Sequence, residues 1–207
     1  ELTFYLSNTA SADVAGYKLL ATSNDAGQNT ITVDGTADNQ ALDEWVTVVN
    51  EPGAFTLSEG DLSCHFYAKV GRVNNNDFLY QIKVKIYKRT GATETQIGAD
   101  VTSLPVLSIA TTLYSVHSHL TEPITLVAGD RIVIKLSTVR TGTAPRITAQ
   151  VVTLYLGDVT PSHMSTPTTL AILENFIKKG QVTVADLADG TDGQLITWDA
   201  AGVAAVV

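Results

Sequence analysis

Apolar and polar residues alternate with a period of two along most of this chain, the signature of strands with one face on a core. The clearest case runs from Phe78 to Arg89. There Tyr80, Ile82, Val84 and Ile86 fall on one face, and Gln81, Lys83, Lys85 and Tyr87 on the other. Such a run, fully extended, reaches roughly 40 Å, the length of a strand in a substantial sheet. The same rhythm predicts strands at Leu2–Leu6, Tyr17–Ala21, Thr30–Val33, Trp45–Val49, Leu62–Val70, Leu113–His119, Arg131–Thr138 and Arg146–Leu156. Turn-formers separate them: Asn24 to Gly27, Asp34-Gly35, Glu51-Pro-Gly53, Asn74 to Asp77, Arg89-Thr-Gly-Ala92, Ala128-Gly-Asp130 and Thr141 to Pro145. A parallel sheet needs crossover helices, and no amphipathic helix pattern lies between these runs. The expectation is an all-β fold, an antiparallel jelly-roll-like β-sandwich over about residues 1–160.

The pattern changes after Gly157. Pro161-Ser-His-Met-Ser-Thr-Pro167 has the composition of a linker. Thr168–Lys179 carries Leu170, Ile172 and Phe176 on one helical face, with Lys178-Lys179 in the last turn and Gly180 as the stop. Short strands with Gly turns follow, so residues 161–207 read as a linker, a short helix and a hairpin. A segment of about 45 residues builds no adequate core of its own. It must pack on the sandwich or on sister chains. The run Leu195-Ile-Thr-Trp198 puts Leu195 with Thr197 on one face and Ile196 with Trp198 on the other, so it needs cover on both sides. A threefold bundle supplies such cover, and so does docking on the sandwich. The residues expected to carry oligomerisation are Leu170, Ile172, Phe176, Leu187, Leu195, Ile196 and Trp198.

Composition narrows the function. Of 207 residues 44% are hydrophobic and 16% charged, enough apolar material for a core and too little charge for a disordered chain. The net charge of −8 repels phosphate backbones, which argues against nucleic acid. The densest basic group, Lys83, Lys85, Lys88 and Arg89, reads as the solvated face of one strand. No run approaches the ~20 apolar residues of a membrane-spanning helix. One cysteine, Cys64, excludes an intrachain disulfide and reads as a small apolar strand residue.

Catalytic signatures are lacking. There is no G-x-S-x-G nucleophile elbow. Asp186, Asp189, Asp192 and Asp199 are spaced as turn residues, without the closing Glu of a calcium loop. Glu44, Glu51 and Glu59 are possible glycosidase carboxylates, but nothing singles any of them out. The stretch Val127 to Leu136 reads as a Gly-Asp turn that sets the register of a strand. Trp45 and the tyrosines could form a sugar-stacking platform; core membership is the expectation for most of them.

Two stretches carry a resemblance. Gly190-Thr-Asp-Gly-Gln-Leu-Ile-Thr-Trp-Asp-Ala-Ala-Gly202 resembles a recurring motif of phage tail-fibre and other virion proteins. Phe4 to Lys18, together with Leu154 to Pro167, is similar to the opening and closing of a β-sandwich found in phage structural proteins. The resemblance implies a virion location, a homotrimer and no catalytic activity. It also bears on His117-Ser-His119, whose imidazoles share one face of a strand and so could hold one metal ion. Trimeric phage spikes place such pairs on a threefold axis, where three chains ligate one iron. The plainer reading is two polar residues on a solvated face, with Val116 and Leu120 inside. His65 and His163 read as isolated strand and linker residues.

The expected function is therefore a non-enzymatic phage virion protein, a fibre subunit or capsid decoration. Its partners would be itself, other virion proteins and a host surface glycan, with no cofactor unless His117 and His119 hold a structural metal. The alternative is a carbohydrate-binding β-sandwich module of a secreted or cell-surface protein.

Overall fold

The computed structural model describes residues 2–72, 77–106, 108–141 and 148–167, together with the backbone of 196–198 and 204–206. The chain divides into two units, Glu1–Thr168 and Thr169–Val207. The first unit is an all-β sandwich, and its described residues contain no helix. Its strands are β1 (Thr3–Ala10), β2 (Lys18–Ala21), β3 (Asn29–Val33), β4 (Gln40–Val46), β5 (Phe55–Leu57), β6 (Gly60–Val70), β7 (Leu79–Thr90), β8 (Thr93–Gln96), β9 (Val101–Thr102), β10 (Thr112–Leu120), β11 (Ile124–Leu126), β12 (Asp130–Thr141), β13 (Val152–Leu156) and β14 (His163–Ser165). In the second unit, β15 (Ile196–Trp198) pairs antiparallel with β16 (Ala204–Val206).

One layer is built around β6. Along one edge it pairs with β10. Along the other it pairs first with β14 and then with β13, which lead on to β1 and β3. The ladder turns a corner at β1–β2, where the register breaks between Leu6 and Ala10, and continues through β4, β12, β7 and β8 as the second layer. Strands β7 and β12 run paired from Thr90↔Asp130 to Leu79↔Thr141. Their inward residues Tyr80, Ile82, Val84, Ile86, Ile132, Ile134 and Leu136 meet Phe4, Leu62, Phe66, Val116 and Leu154 of the first layer in one buried cluster. The β5–β11 ladder adds Phe55, Leu57 and Leu126 to that core.

The alternation therefore places the long strands and their inward faces, and two of the expected turns form at glycines with positive φ. Gly91-Ala92 joins β7 to β8, with Gly91 at φ 60°. Gly129 at φ 90° leads into β12, where Asp130 accepts the Val127 N–H at 2.9 Å.

Four expectations need correction. The sheet is mixed, because β2 and β4 pair in parallel at Lys18↔Trp45 and Leu19↔Val46. The crossover between them runs through β3, a strand of the opposite layer, so no helix is required. Second, β4 begins at Gln40 and ends at Val46, rather than running Trp45–Val49. A register shift opposite Leu136/Ser137 leaves Leu42 as an extra residue, and this bulge breaks the period of two. Third, Pro161–Pro167 is no linker. β14 inserts between β1 and β6, with Met164 fully buried opposite Phe4 and Cys64, and the unit boundary lies at 168/169 rather than 160/161. Finally, the last strand of the sandwich before β14 is Val152–Leu156, shorter than the expected 146–156, with 142–147 outside the described residues.

The helix expected at 168–179, and Leu170, Ile172, Phe176, Leu187 and Leu195, also lie outside the described residues. For Ile196 and Trp198 only the backbone is described, in β15.

Candidate functional site on the histidine-bearing sheet face

The sandwich presents two outer faces of different chemistry, and the difference follows from which outward positions each strand supplies. On the second layer the outward residues are ionic and paired. Lys85 reaches Asp100 at 3.2 Å, Arg89 reaches Glu94 at 3.0 Å, and Lys135 lies between Glu94 at 2.8 Å and Glu44 at 3.1 Å. Tyr17 donates its hydroxyl to Glu94 at 2.6 Å and sits beneath the Arg89 and Lys135 cations. Burial alone would raise the Glu94 carboxyl; Lys135, Tyr17 and Arg89 outweigh it and hold the group below its ordinary value. Burial would likewise lower the Lys135 ammonium, but Glu94, Glu44 and Tyr17 hold it above its ordinary value. Both groups are locked in their charged forms, which suits a structural clamp and not proton transfer at neutral pH. The basic run Lys83, Lys85, Lys88 and Arg89 is thus neutralised pair by pair, since Lys88 also meets Asp130 at 2.8 Å and Lys83 meets Asp100 at 3.9 Å.

The first layer differs. The outward positions of β6 are Asp61, Ser63, His65, Tyr67 and Lys69, alternating with buried Leu62, Cys64, Phe66, Ala68 and Val70. Facing them on β10 are His119, His117, Ser115 and Leu113, and on β14 His163 stands opposite His65. All four histidines of the chain therefore lie on this face. Three of them form a row with a tyrosine of β1. The Tyr5 and His163 rings are 5.8 Å apart between centroids, His163 and His65 4.9 Å, and His65 and His117 6.4 Å. The row crosses β1, β14, β6 and β10.

Every imidazole on the face is anchored through Nδ1. His163 donates to the Pro161 carbonyl at 2.9 Å, and His119 donates to the Asp61 carboxylate at 2.8 Å. His65 shares a hydrogen bond with the Ser115 hydroxyl at 2.8 Å, and His117 with the Ser63 hydroxyl at 2.9 Å. Beside the row, Lys69 lies over the Tyr155 ring and hydrogen-bonds its hydroxyl, which holds that phenol below its ordinary value. Behind it Cys64 is buried, and desolvation pushes its thiol up to about 12.

His117 and His119 share a face as their spacing predicts, with Val116 and Leu120 inside. They bond to different β6 partners, and among the described residues no group of three or more His, Cys, Asp or Glu is gathered for a metal ion. Two Ser–His hydrogen bonds on this face have the spacing of a nucleophile and its base. The one carboxylate among the outward positions of β6, β10 and β14 is Asp61, and it is held by His119, which bonds neither serine.

His65 and His163, which read as isolated in the sequence, are the closest imidazole pair on the face, because β14 brings the end of the sandwich beside β6. The tyrosines also depart from expectation. Trp45 and Tyr80 are in the core, but Tyr5, Tyr17, Tyr67, Tyr87, Tyr114 and Tyr155 are only half-buried. Each histidine stands at an outward position of an alternating run, which is legible in the sequence. Their convergence depends on pairings between residues 50 to 98 positions apart and is not.

No known protein family matches the sequence, and no curated protein matches it. The structure is similar to part of a CocE/NonD family hydrolase from Staphylococcus aureus, with a TM-score of 0.55 and 10% identity, over 81% of this chain and 36% of that one. It is similar in the same way to an aminopeptidase from a marine sediment Thaumarchaeota archaeon, with a TM-score of 0.54 and 10% identity, over 79% and 36%. The likeness shows the fold alone. The chain spans about a third of each of those proteins, and none of their chemistry transfers with the shared strands.

Proposed function

We propose that this chain is a non-enzymatic structural protein of a virion, a fibre subunit or capsid decoration that assembles as a homotrimer. The observation that carries the reading is the C-terminal unit. It clusters apart from the sandwich, and its β15–β16 ladder holds Ile196 and Trp198 inside the stretch that resembles the fibre motif. A two-stranded ladder is marginal by itself in water, so cover from sister chains would stabilise it. The ion-paired face of the sandwich and its inert thiol suit a durable scaffold. Native mass by light scattering tests the reading. A stable species of about three times 22.0 kDa is expected, reverting to monomer when residues 168–207 are removed. A concentration-independent monomer of the whole chain overturns the self-assembling fibre.

A second reading, a carbohydrate-binding module, is favoured by the Tyr and His row. In that case the whole chain is a monomer that still binds sugar.

A further inference from the structure

The row Tyr5–His163–His65–His117 has no part in the buried core or in the ion-pair clamps. The geometry points to a binding site for an uncharged oligosaccharide, laid across β1, β14, β6 and β10 with successive sugar rings on successive side-chain rings. This deepens the carbohydrate-binding reading given above and rests on it.

Three features of the face favour that ligand. The rings form a series with centroid spacings of 4.9 to 6.4 Å, the Tyr5, His163 and His65 planes inclined by 31° to 48° and His117 edge-on to His65 at 85°, so an extended ligand meets a ring face or a ring edge at each step. Planar side chains of this kind offer large contact area with few torsions to freeze. The rings are also held in place beforehand, because Pro161, Ser115 and Ser63 fix the Nδ1 edges of His163, His65 and His117. Binding then costs little further ordering. Finally, the row is bordered by hydroxyl-bearing side chains: Thr3 and Ser63 along one side, Ser115, Tyr67 and Tyr155 along the other. A polyol finds hydrogen-bond partners in both directions along such a border. Charge selects the class further. The outward positions of β6, β10 and β14 hold one cation, Lys69, engaged by Tyr155, and one anion, Asp61, engaged by His119. A face with its charges engaged, on a chain of net charge −8, is better matched to a neutral glycan than to an acidic one.

Four histidines give four imidazole Cε1–H signals, which single His→Gln substitutions assign. The test titrates the full chain with maltotriose, cellotriose and triacetylchitotriose, each against its monosaccharide, and follows those signals by NMR. The expected result is that at least one trisaccharide shifts His163, His65 and His117 together, binding about five- to tenfold tighter than its monosaccharide. Tyr5→Ala is expected to weaken that binding about five- to tenfold with an unchanged circular dichroism spectrum. His119→Ala, off the row, is expected to leave it unchanged. Absence of shifts with all three trisaccharides overturns the proposal, and so does a response confined to His119 or one seen only with a sialylated or uronic-acid glycan. Because wild-type shifts are read first, a variant that fails to fold does not decide the matter. Native mass separates the two ideas: a trimer without sugar binding sinks the glycan site alone, and a monomer that binds sinks the fibre alone.

Discussion

Asp130 shows how a single side chain fixes the geometry around it. Its carboxylate is 1% exposed and accepts from Lys88 at 2.8 Å, Thr90 at 2.6 Å and the Val127 N–H at 2.9 Å. Burial alone would raise its carboxyl, but these three donors outweigh burial and hold it below its ordinary value. Asp130→Asn keeps the shape and removes the charge. It should cost about 2–3 kcal/mol in urea denaturation, less than a fully buried pair because Lys88 keeps a quarter of its side chain in water. Trp45 is the largest fully buried side chain among the described residues and donates Nε1–H to the Ser7 carbonyl at 2.9 Å. Trp45→Phe leaves that carbonyl without its donor and the site underfilled, so a loss of about 2–3 kcal/mol is expected by the same measurement. Cys64, with its thiol raised to about 12, should react with a thiol reagent at pH 8 only once the sandwich is unfolded. Rapid labelling of the native protein would contradict its buried place.

At the scale of elements, β14 decides most. It supplies rungs to both β1 and β6 and buries Met164 between them. Ending the chain at residue 167 should leave a cooperative thermal transition, whereas ending it at 160 should abolish that transition by circular dichroism. The second truncation exposes two strand edges and removes a core side chain. The sequence makes the long strands legible because β6, β7, β10 and β12 are nine residues or longer and alternate between buried and outward positions over much of their length. It hides β5, β9, β11 and β14, which have three residues or fewer, too few to establish a period. At Leu42 a bulge erases the period within a real strand. The candidate site was legible only in halves: His117 and His119 are neighbours in sequence, but His65 and His163 meet through pairing across the sheet. Sequence also overfills the core with tyrosine, since the ring can stay half-buried on an outer face, as Tyr5 and Tyr155 do.

Over the whole molecule, acid should be the effective denaturant. Asp38, Glu94, Asp100 and Asp130 are all held below their ordinary values, Asp38 chiefly by the Arg140 N–H. The other three are held by Lys and Arg partners against the opposing effect of burial. A carboxylate lowered on folding contributes stability that is fully present above its unfolded value near pH 4 and is lost as pH falls through its folded value. The melting temperature should therefore stay level between about pH 8 and 5 and fall steeply below about pH 4. In Asp130→Asn the acid decline should be shallower. A melting temperature that climbs as the pH drops below 4 would sink this account of the clamps.

The placement of β14 also governs how the sandwich bears a load. β1 and β14 are antiparallel neighbours, and Leu2 and Thr166 are joined by two further hydrogen bonds at 3.1 and 2.9 Å. Residues 2 and 167 thus leave the sandwich at the same end of one ladder. Tension applied between them peels that ladder rung by rung, and no step breaks more than a bond or two. Strands pulled lengthwise past each other must yield all at once and resist far more. A sandwich strung in series through these two ends is therefore a compliant link that opens early and closes again. Tethered through residue 167 alone, it hangs from its last strand with the β1 seam carrying no tension.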